Sequence, residues 1–431
     1  MSSFVESLTA EERRQSRRNA YASTWFGCFA DLMHESSALI ILYLAMLGSS
    51  GTLTMLCTSL SGIVSVFLLI PMSSIIDCFG VKRIVLWSCL LGCLSFFVMG
   101  LAPFFSYGFG PWVVLFSCFV FFVSKTLWIG CWYPILTDVL LPEERGDFFG
   151  LMRFSYHILA LVVFFLLGLV MGKNPPFWLM QTCFFVTGIL LMGRYVFVSR
   201  IRISPHVPAR TDIRRAFRIS VQNGPLVGFS NYICFVLMAF SSVLPLSLLY
   251  LKKGLAFDDN MVQLISTSGI GGSVIAYLLY GWLCRKLGVR NIQLCVHVLF
   301  IVLPLALFFL GGVKTGMAIW MTLILFIGNF AYACFCCVFS QEALALARPG
   351  NSTMATAFSQ TYQMIGIGIG RLFASMMLDN GILSSHWKFF ELEFNHYQTL
   401  FLLCGLGAMV SLCLVFLLPS VVPKREDYYN P

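Results

Sequence analysis

The sequence predicts an all-α polytopic membrane protein with twelve transmembrane helices in two related halves of six. Three observations lead there. The chain has 431 residues, 58% hydrophobic and only 11% charged, with a mean hydropathy of +0.85, so lipid rather than water must cover much of its surface. Apolar runs close to the length needed to cross a bilayer recur along nearly the whole chain. Backbone groups in hydrocarbon must be paired within the protein, and spans of this kind achieve that as helices. Finally, a polar loop pattern around Gly80 returns at Gly288, at the matching place in the span order.

The elements follow in order. Residues 1–20 are polar with charge of both signs, lack the basic start and short apolar core of an export signal, and read as a cytosolic leader. Hydropathy places spans near 22–47, 53–76, 84–104, 112–137, 149–170 and 177–196, within a first half covering 21–198. A linker, 199–224, separates them from spans near 227–250, 261–283, 292–309, 317–340, 355–378 and 399–418, within a second half covering 225–420. Residues 421–431 form a polar tail.

Basic residues give the direction. With both termini cytosolic, 21 of the 28 Lys and Arg fall on the cytosolic side, counting Arg153 and Arg194 at the inner ends of their spans. Only Lys173, Lys252, Lys253, Lys314 and Lys388 fall opposite, which follows the positive-inside rule. The expected location is a plasma membrane or a bacterial inner membrane. In the linker, Arg214, Arg215 and Arg218 interleave with Ala216, Phe217 and Ile219 as a short surface helix. Anionic lipid accounts for that charge without a nucleic-acid partner.

The first span contains Asp31, His34 and Glu35, with the two acids four residues apart on one helical face. A charge at this depth costs about 3 kcal/mol even on lenient insertion scales, so an idle carboxylate is disfavoured. Lys125 lies half way along the fourth span, with Trp128 and Trp132 on its cytosolic side. Arg371 stands deep in the eleventh span, where substrate contact and snorkelling to the interface weigh equally. Asn231 and Tyr232 in the seventh span and Asn329 and Tyr332 in the tenth supply neutral polarity, for a cavity or for bonds across helices. Gly366, Gly368 and Gly370 read as close helix packing. Arg153 and His157 open the fifth span, at a gate or against headgroups.

The sixteen Cys are scattered through apolar segments as small packing residues. The cluster Cys334, Cys336 and Cys337 lacks a second pair or a nearby His or Asp, so no metal and no cofactor is expected. The sequon at Asn351 falls in a cytosolic loop. No nucleophile constellation points to an enzyme.

Two loops carry the repeat. The first has Ser73, Asp77, Gly80, Val81 and Lys82; the second has Gly281, Arg285, Gly288, Val289 and Arg290. The glycines permit tight reversals, and Asp77 can meet positive charge or a helix amino end, an arrangement suited to a conformational gate. With the span count and the central linker, these loops make the chain resemble the major facilitator superfamily, whose loop pattern G-x-x-x-D-x-x-G-x-R/K falls on Ser73, Asp77, Gly80 and Lys82. Gly281, Gly288 and Arg290 resemble its degenerate second copy, and Arg145 with Gly146 its loop between spans four and five. The resemblance implies two six-helix bundles around a central cavity, lined by spans one, four, seven and ten, with alternating access by rocking. It would bring Lys125 to Asp31 or Glu35, either as a closed structural pair or as an anion site coupled to a carboxylate that exchanges protons. The expected function is secondary active transport of a small polar organic solute, anionic through Lys125, with protons as the coupling ion, by a monomer in contact with membrane lipids. The alternatives are a non-transporting receptor or assembly protein, and an exporter of lipids, amphiphiles or drugs. The missing Gly-Pro motif in span five argues against drug export.

Overall fold

The computed structural model describes residues 8–69, 71–105, 108–140, 145–204, 213–310, 316–348, 351–389 and 392–417. Helices α1 (Ala10–Glu35) and α2 (Leu39–Met46) form the first span, bent by 57° between them. α3 (Gly51–Leu69) and α4 (Met72–Phe79) form the second. α5 (Val81–Gly100), α6 (Gly110–Val139), α7 (Arg145–Met171) and α8 (Phe177–Ser199) complete the first half. The linker holds α9 (Ile213–Val221). The seventh span is α10 (Gly224–Phe240) with α11 (Val243–Leu249) and a π turn at Tyr250–Gly254. α12 (Asp259–Leu310) supplies two spans, and α13 (Met317–Ala345), α14 (Ser352–Met377) and α15 (His396–Leu417) supply the last three. A short antiparallel hairpin, β1 (Trp387–Phe389) with β2 (Leu392–Phe394), lies between α14 and α15. The twelve spans form two six-helix bundles.

The helical content of the first span begins earlier than hydropathy suggests. Thr9 and Glu12 form a reciprocal capping box, with the Thr9 hydroxyl accepting from the Glu12 amide and the Glu12 carboxylate accepting from the Thr9 amide. Two of the free amides of a helix start are satisfied this way, so α1 extends into the polar leader.

The repeat seen in sequence is also a repeat in backbone. Gly80 has φ 83° and ψ 143°, and Gly288 has φ 76° and ψ 154°. This conformation belongs to glycine almost alone, and it turns the second span into the third and the eighth into the ninth at the same register. It explains why α12 is 52 residues long: two spans meet at Gly288 without an intervening loop.

The halves meet along α3 against α14 and α7 against α12. The spaced glycines of α14 let backbones touch: a Cβ at Gly366 or Gly370 would run into the Cys234 or Met238 carbonyl of α10, and one at Gly62 of α3 would strike the backbone at Gly368. Away from the chain termini the halves are also tied by hydrogen bonds. The Thr52 amide donates to Asp379 (2.8 Å), the Ser375 hydroxyl to the Thr52 carbonyl (2.7 Å), the Asp259 amide to the Lys173 carbonyl (3.1 Å), and the Lys253 ammonium to the Ser49 carbonyl. Large apolar side chains such as Phe67, Phe104 and Val170 are exposed, as lipid-facing surfaces require.

Candidate functional site

The site begins where the first span breaks. After Glu35 the chain reads Ser36-Ser37-Ala38, and the amides of Ser36 and Ser37 both donate to the Leu32 carbonyl (2.9 and 3.0 Å). Ser37 Oγ accepts from the Leu39 amide and donates to Gln263 Oε1, while the Ala38 amide donates to Ser266 Oγ (3.2 Å). Gln263 and Ser266 belong to α12, so the other half of the molecule satisfies the backbone that the break releases. Irregular backbone at this depth is tolerated when protein or a cavity receives it in this way.

Just before the break, four charges form a chain. Glu35 pairs with Lys125 of α6. Asp31 lies 3.9 Å from the same ammonium and accepts from Arg194 Nη2 of α8 at 2.8 Å. Arg194 also donates through Nε to the Ser23 carbonyl (3.2 Å), and its guanidinium covers the Trp128 ring at 4.2 Å. Trp128 in turn stacks on Trp132 with centroids 5.0 Å apart. Gly27 makes room for this crossing, since a Cβ there would overlap the guanidinium.

One position differs from the sequence reading. Arg194, counted among the residues that set topology at a span end, is buried against Asp31 instead. A single line of hydropathy cannot separate a basic residue near the surface from one turned inward toward an acid on a neighbouring helix. Arg371 does not snorkel: its Nε donates to the Ser241 carbonyl (3.2 Å) and its Nη1 to the Thr58 carbonyl (2.9 Å) and Ser61 Oγ (3.4 Å). It is therefore held among α3, the seventh span and α14, in the interior.

A narrow cavity of about 30 Å³ lies between the halves, room for roughly a water or two. Glu35, His34, Asn329 and Arg371 line it, together with the broken segment and residues of α3, α6, α11 and α12. Spans one, four, seven and ten all contribute, with the second, eighth and eleventh besides. Asp31, Lys125, Trp128 and Tyr332 stand outside this lining. His34 is stacked on Phe121 (4.0 Å) with Phe96 and Phe122 edge-on, and its Nδ1 bonds to the Ala30 carbonyl (3.0 Å). Its Nε2 is buried and has no hydrogen-bond partner among the described residues. Asn329 Nδ2 bonds back to the Leu325 carbonyl (2.9 Å). Tyr332 is partly buried in the core of α13 and within electrostatic reach of Glu35 and Arg371. Tyr232 turns away from the cavity, with its hydroxyl 2.8 Å from His297 Nδ1. Arg153 and His157 both pack on Tyr277 of α12.

The sequence model of the Major Facilitator Superfamily matches residues 24–371. The chain belongs to that superfamily. It is a polytopic membrane protein of a group that carries out secondary transport. Among solved structures, a D-xylose-proton symporter superposes with a TM-score of 0.67 at 12% identity, covering 95% of this chain and 97% of that one. A POT family transporter in complex with 5-aminolevulinic acid gives 0.69 at 14%, covering 95% and 96%. At such identity these likenesses establish the shared superfamily fold alone. A "Multidrug resistance protein MdtH" from Salmonella arizonae is 28% identical over 125 residues. That alignment spans 29% of this chain and 27% of the relative, well short of its full length.

The superfamily's loop residues can now be placed. Gly80 and Gly288 both turn the chain at positive φ. Lys82 donates to the Ile201 carbonyl (3.1 Å), tying the start of α5 to the end of α8. Arg290 is exposed, and a Cβ on Gly281 would meet only the Arg285 guanidinium at ordinary contact distance. The side chains of Asp77 and Arg145 lie outside the described residues. Among the described residues no group of three or more His, Cys, Asp or Glu is arranged to hold a metal ion.

Proposed function

We propose that this chain is a proton-coupled secondary transporter of a small polar organic solute, working by alternating access around the cavity at the broken first span. The observation that carries the reading is Glu35: it is paired with Lys125 on one side and lines the inter-half cavity on the other. A carboxylate in that position reaches protons from the cavity, and protonation releases Lys125. Lys125 then has Asp31 at 3.9 Å to turn to, so the base is never left without an acid. The proton thus changes which helices are tied together, which is what coupling requires. Asp77, Gly80, Lys82, Arg145, Gly281, Gly288 and Arg290 form the conformational gate in this reading, at the end that the basic residues assign to the cytosol. Residues 21–198 and 225–420 rock as units about the 199–224 linker, in a plasma membrane or bacterial inner membrane, with the chain acting as a monomer.

The test is uptake into proteoliposomes against pH for wild type and Glu35→Gln. The expected result is a pH-dependent wild type and a variant whose residual transport is flat across the same range; an unchanged pH profile in the variant removes the coupling role. A second reading, export of amphiphiles, is favoured by the partial match to a multidrug resistance protein. Accumulation of a lipophilic dye that rises on deletion, with no polar solute stabilising the purified protein, would select it.

A further inference from the structure

The charges around the cavity do not cancel. Arg194 and Lys125 are matched by Asp31 and Glu35. Arg371 is in none of the described ion pairs, and it meets only carbonyls and a hydroxyl. The side chain lines the cavity. A guanidinium is always charged, so one positive charge there has no ion-pair partner among the described residues.

A second feature of the same wall has the same sign. Helix α2 begins at the break, and its first intrahelical amide is that of Leu42, which donates to the Ala38 carbonyl. The amides of Ile40 and Ile41 precede it in the first turn, where a helix has no internal acceptors to offer. Both residues line the cavity. The amino end of a half-helix carries partial positive charge and presents donors, which suits an anionic group near midplane. Within the cavity lining the one carboxylate, Glu35, is already engaged by Lys125.

We propose that the solute carries a single negative charge on a carboxylate, which sits between Arg371 and the amino end of α2. This inference rests on the transport reading above and moves the anion contact from Lys125 to Arg371. One uncompensated cation selects a monoanion over a dianion, and a hydrogen bond between guanidinium and carboxylate is strengthened by the charge on both. Because the described cavity holds only a water or two, a solute of this class enters when the halves part and is enclosed when they close.

The experiment uses the purified full-length protein in detergent, with thermal unfolding followed in the presence of acetate, lactate, pyruvate and glycerate, each matched with its neutral amide. A ligand that binds the folded state raises its apparent stability. At least one carboxylate should raise the midpoint while its amide does not. Arg371→Gln should weaken that ligand at least tenfold, about 1.4 kcal/mol, and Arg371→Lys should recover part of the loss. The proposal is overturned if no carboxylate in the panel shifts the midpoint, if amides act equally, or if Arg371→Gln binds as wild type does. Should Arg371→Gln fail to fold, the carboxylate-to-amide comparison on wild type and the Arg371→Lys variant decide. A carboxylate bound through Arg371 yet never taken up would sink the transport reading alone; uptake of a neutral solute indifferent to Arg371 would sink this one alone.

Discussion

Neutralising Asp31 should leave Arg194 stranded, and the structure sets the size of the effect. The Arg194 side chain is 7% exposed and is held by one Asp31 oxygen at 2.8 Å, the Ser23 carbonyl at 3.2 Å and the face of Trp128 at 4.2 Å. In Asp31→Asn the carbonyl and the indole remain, but the guanidinium loses its counter-charge. Removing one partner of a buried pair costs about 3–5 kcal/mol, and the lower end applies because the Asp31 side chain is still 24% exposed. Arg194→Met alone orphans a carboxylate that still has Lys125 within 4 Å, so it should cost less, about 1–2 kcal/mol. The double variant removes both charges together and should fall short of the sum by about 1–3 kcal/mol. Unfolding by SDS from detergent micelles, monitored by tryptophan fluorescence, gives the four free energies of the cycle. Additivity within about 0.5 kcal/mol would refute the claim that each charge compensates the other.

Other consequences are as specific. Gly27→Val places methyl groups where the Arg194 guanidinium lies, and should destabilise by about 1–3 kcal/mol in the same unfolding assay while leaving little further effect from Asp31→Asn. Gly80→Ala and Gly288→Ala force a side chain into a glycine conformation and should each cost about 1–3 kcal/mol; unequal costs would argue against the turns being equivalent. Cysteines at Thr52 and Asp379, joined by a short bifunctional maleimide, should stop uptake by holding the halves together where they already touch, and reagent on either single variant should not.

The fold was legible because lipid imposes a simple rule: each span must be apolar and helical, so twelve runs of hydropathy suffice to count them. The repeat was legible because a backbone conformation reserved for glycine leaves its mark at Gly80 and Gly288. The pairing of Glu35 with Lys125 could be anticipated once both were assigned to cavity-facing helices. Arg194 was not, because its partner lies 163 residues away and nothing in its own segment marks it as inward-facing. A signal did exist in Gly27, whose missing side chain opens the path to Asp31, but a lone glycine in a membrane helix has many ordinary explanations. The break after Glu35 was missed for a related reason. Hydropathy scores Ser36 and Ser37 as mildly polar and runs straight through them, whereas the acceptors and donors that make the break affordable sit on α12 in the other half.

The proximity of Asp31 to Lys125 has one more consequence for the coupling scheme. If Glu35 takes up the proton, the acid four residues earlier must stabilise the released ammonium. Replacing Asp31 by Asn removes that fallback and also removes a negative charge about 6 Å along the helix from Glu35. Both changes make the protonated state of Glu35 less favourable, as does the positive charge left on Arg194, so all three act in one direction. At an effective dielectric of about 20, a unit charge at that distance is worth about 2–3 kcal/mol. In Asp31→Asn the midpoint of the uptake profile should therefore move to lower pH, in proteoliposomes at matched protein content. A midpoint that stays in place, or moves to higher pH, would mean that Asp31 holds Arg194 and has no part in the release of Lys125.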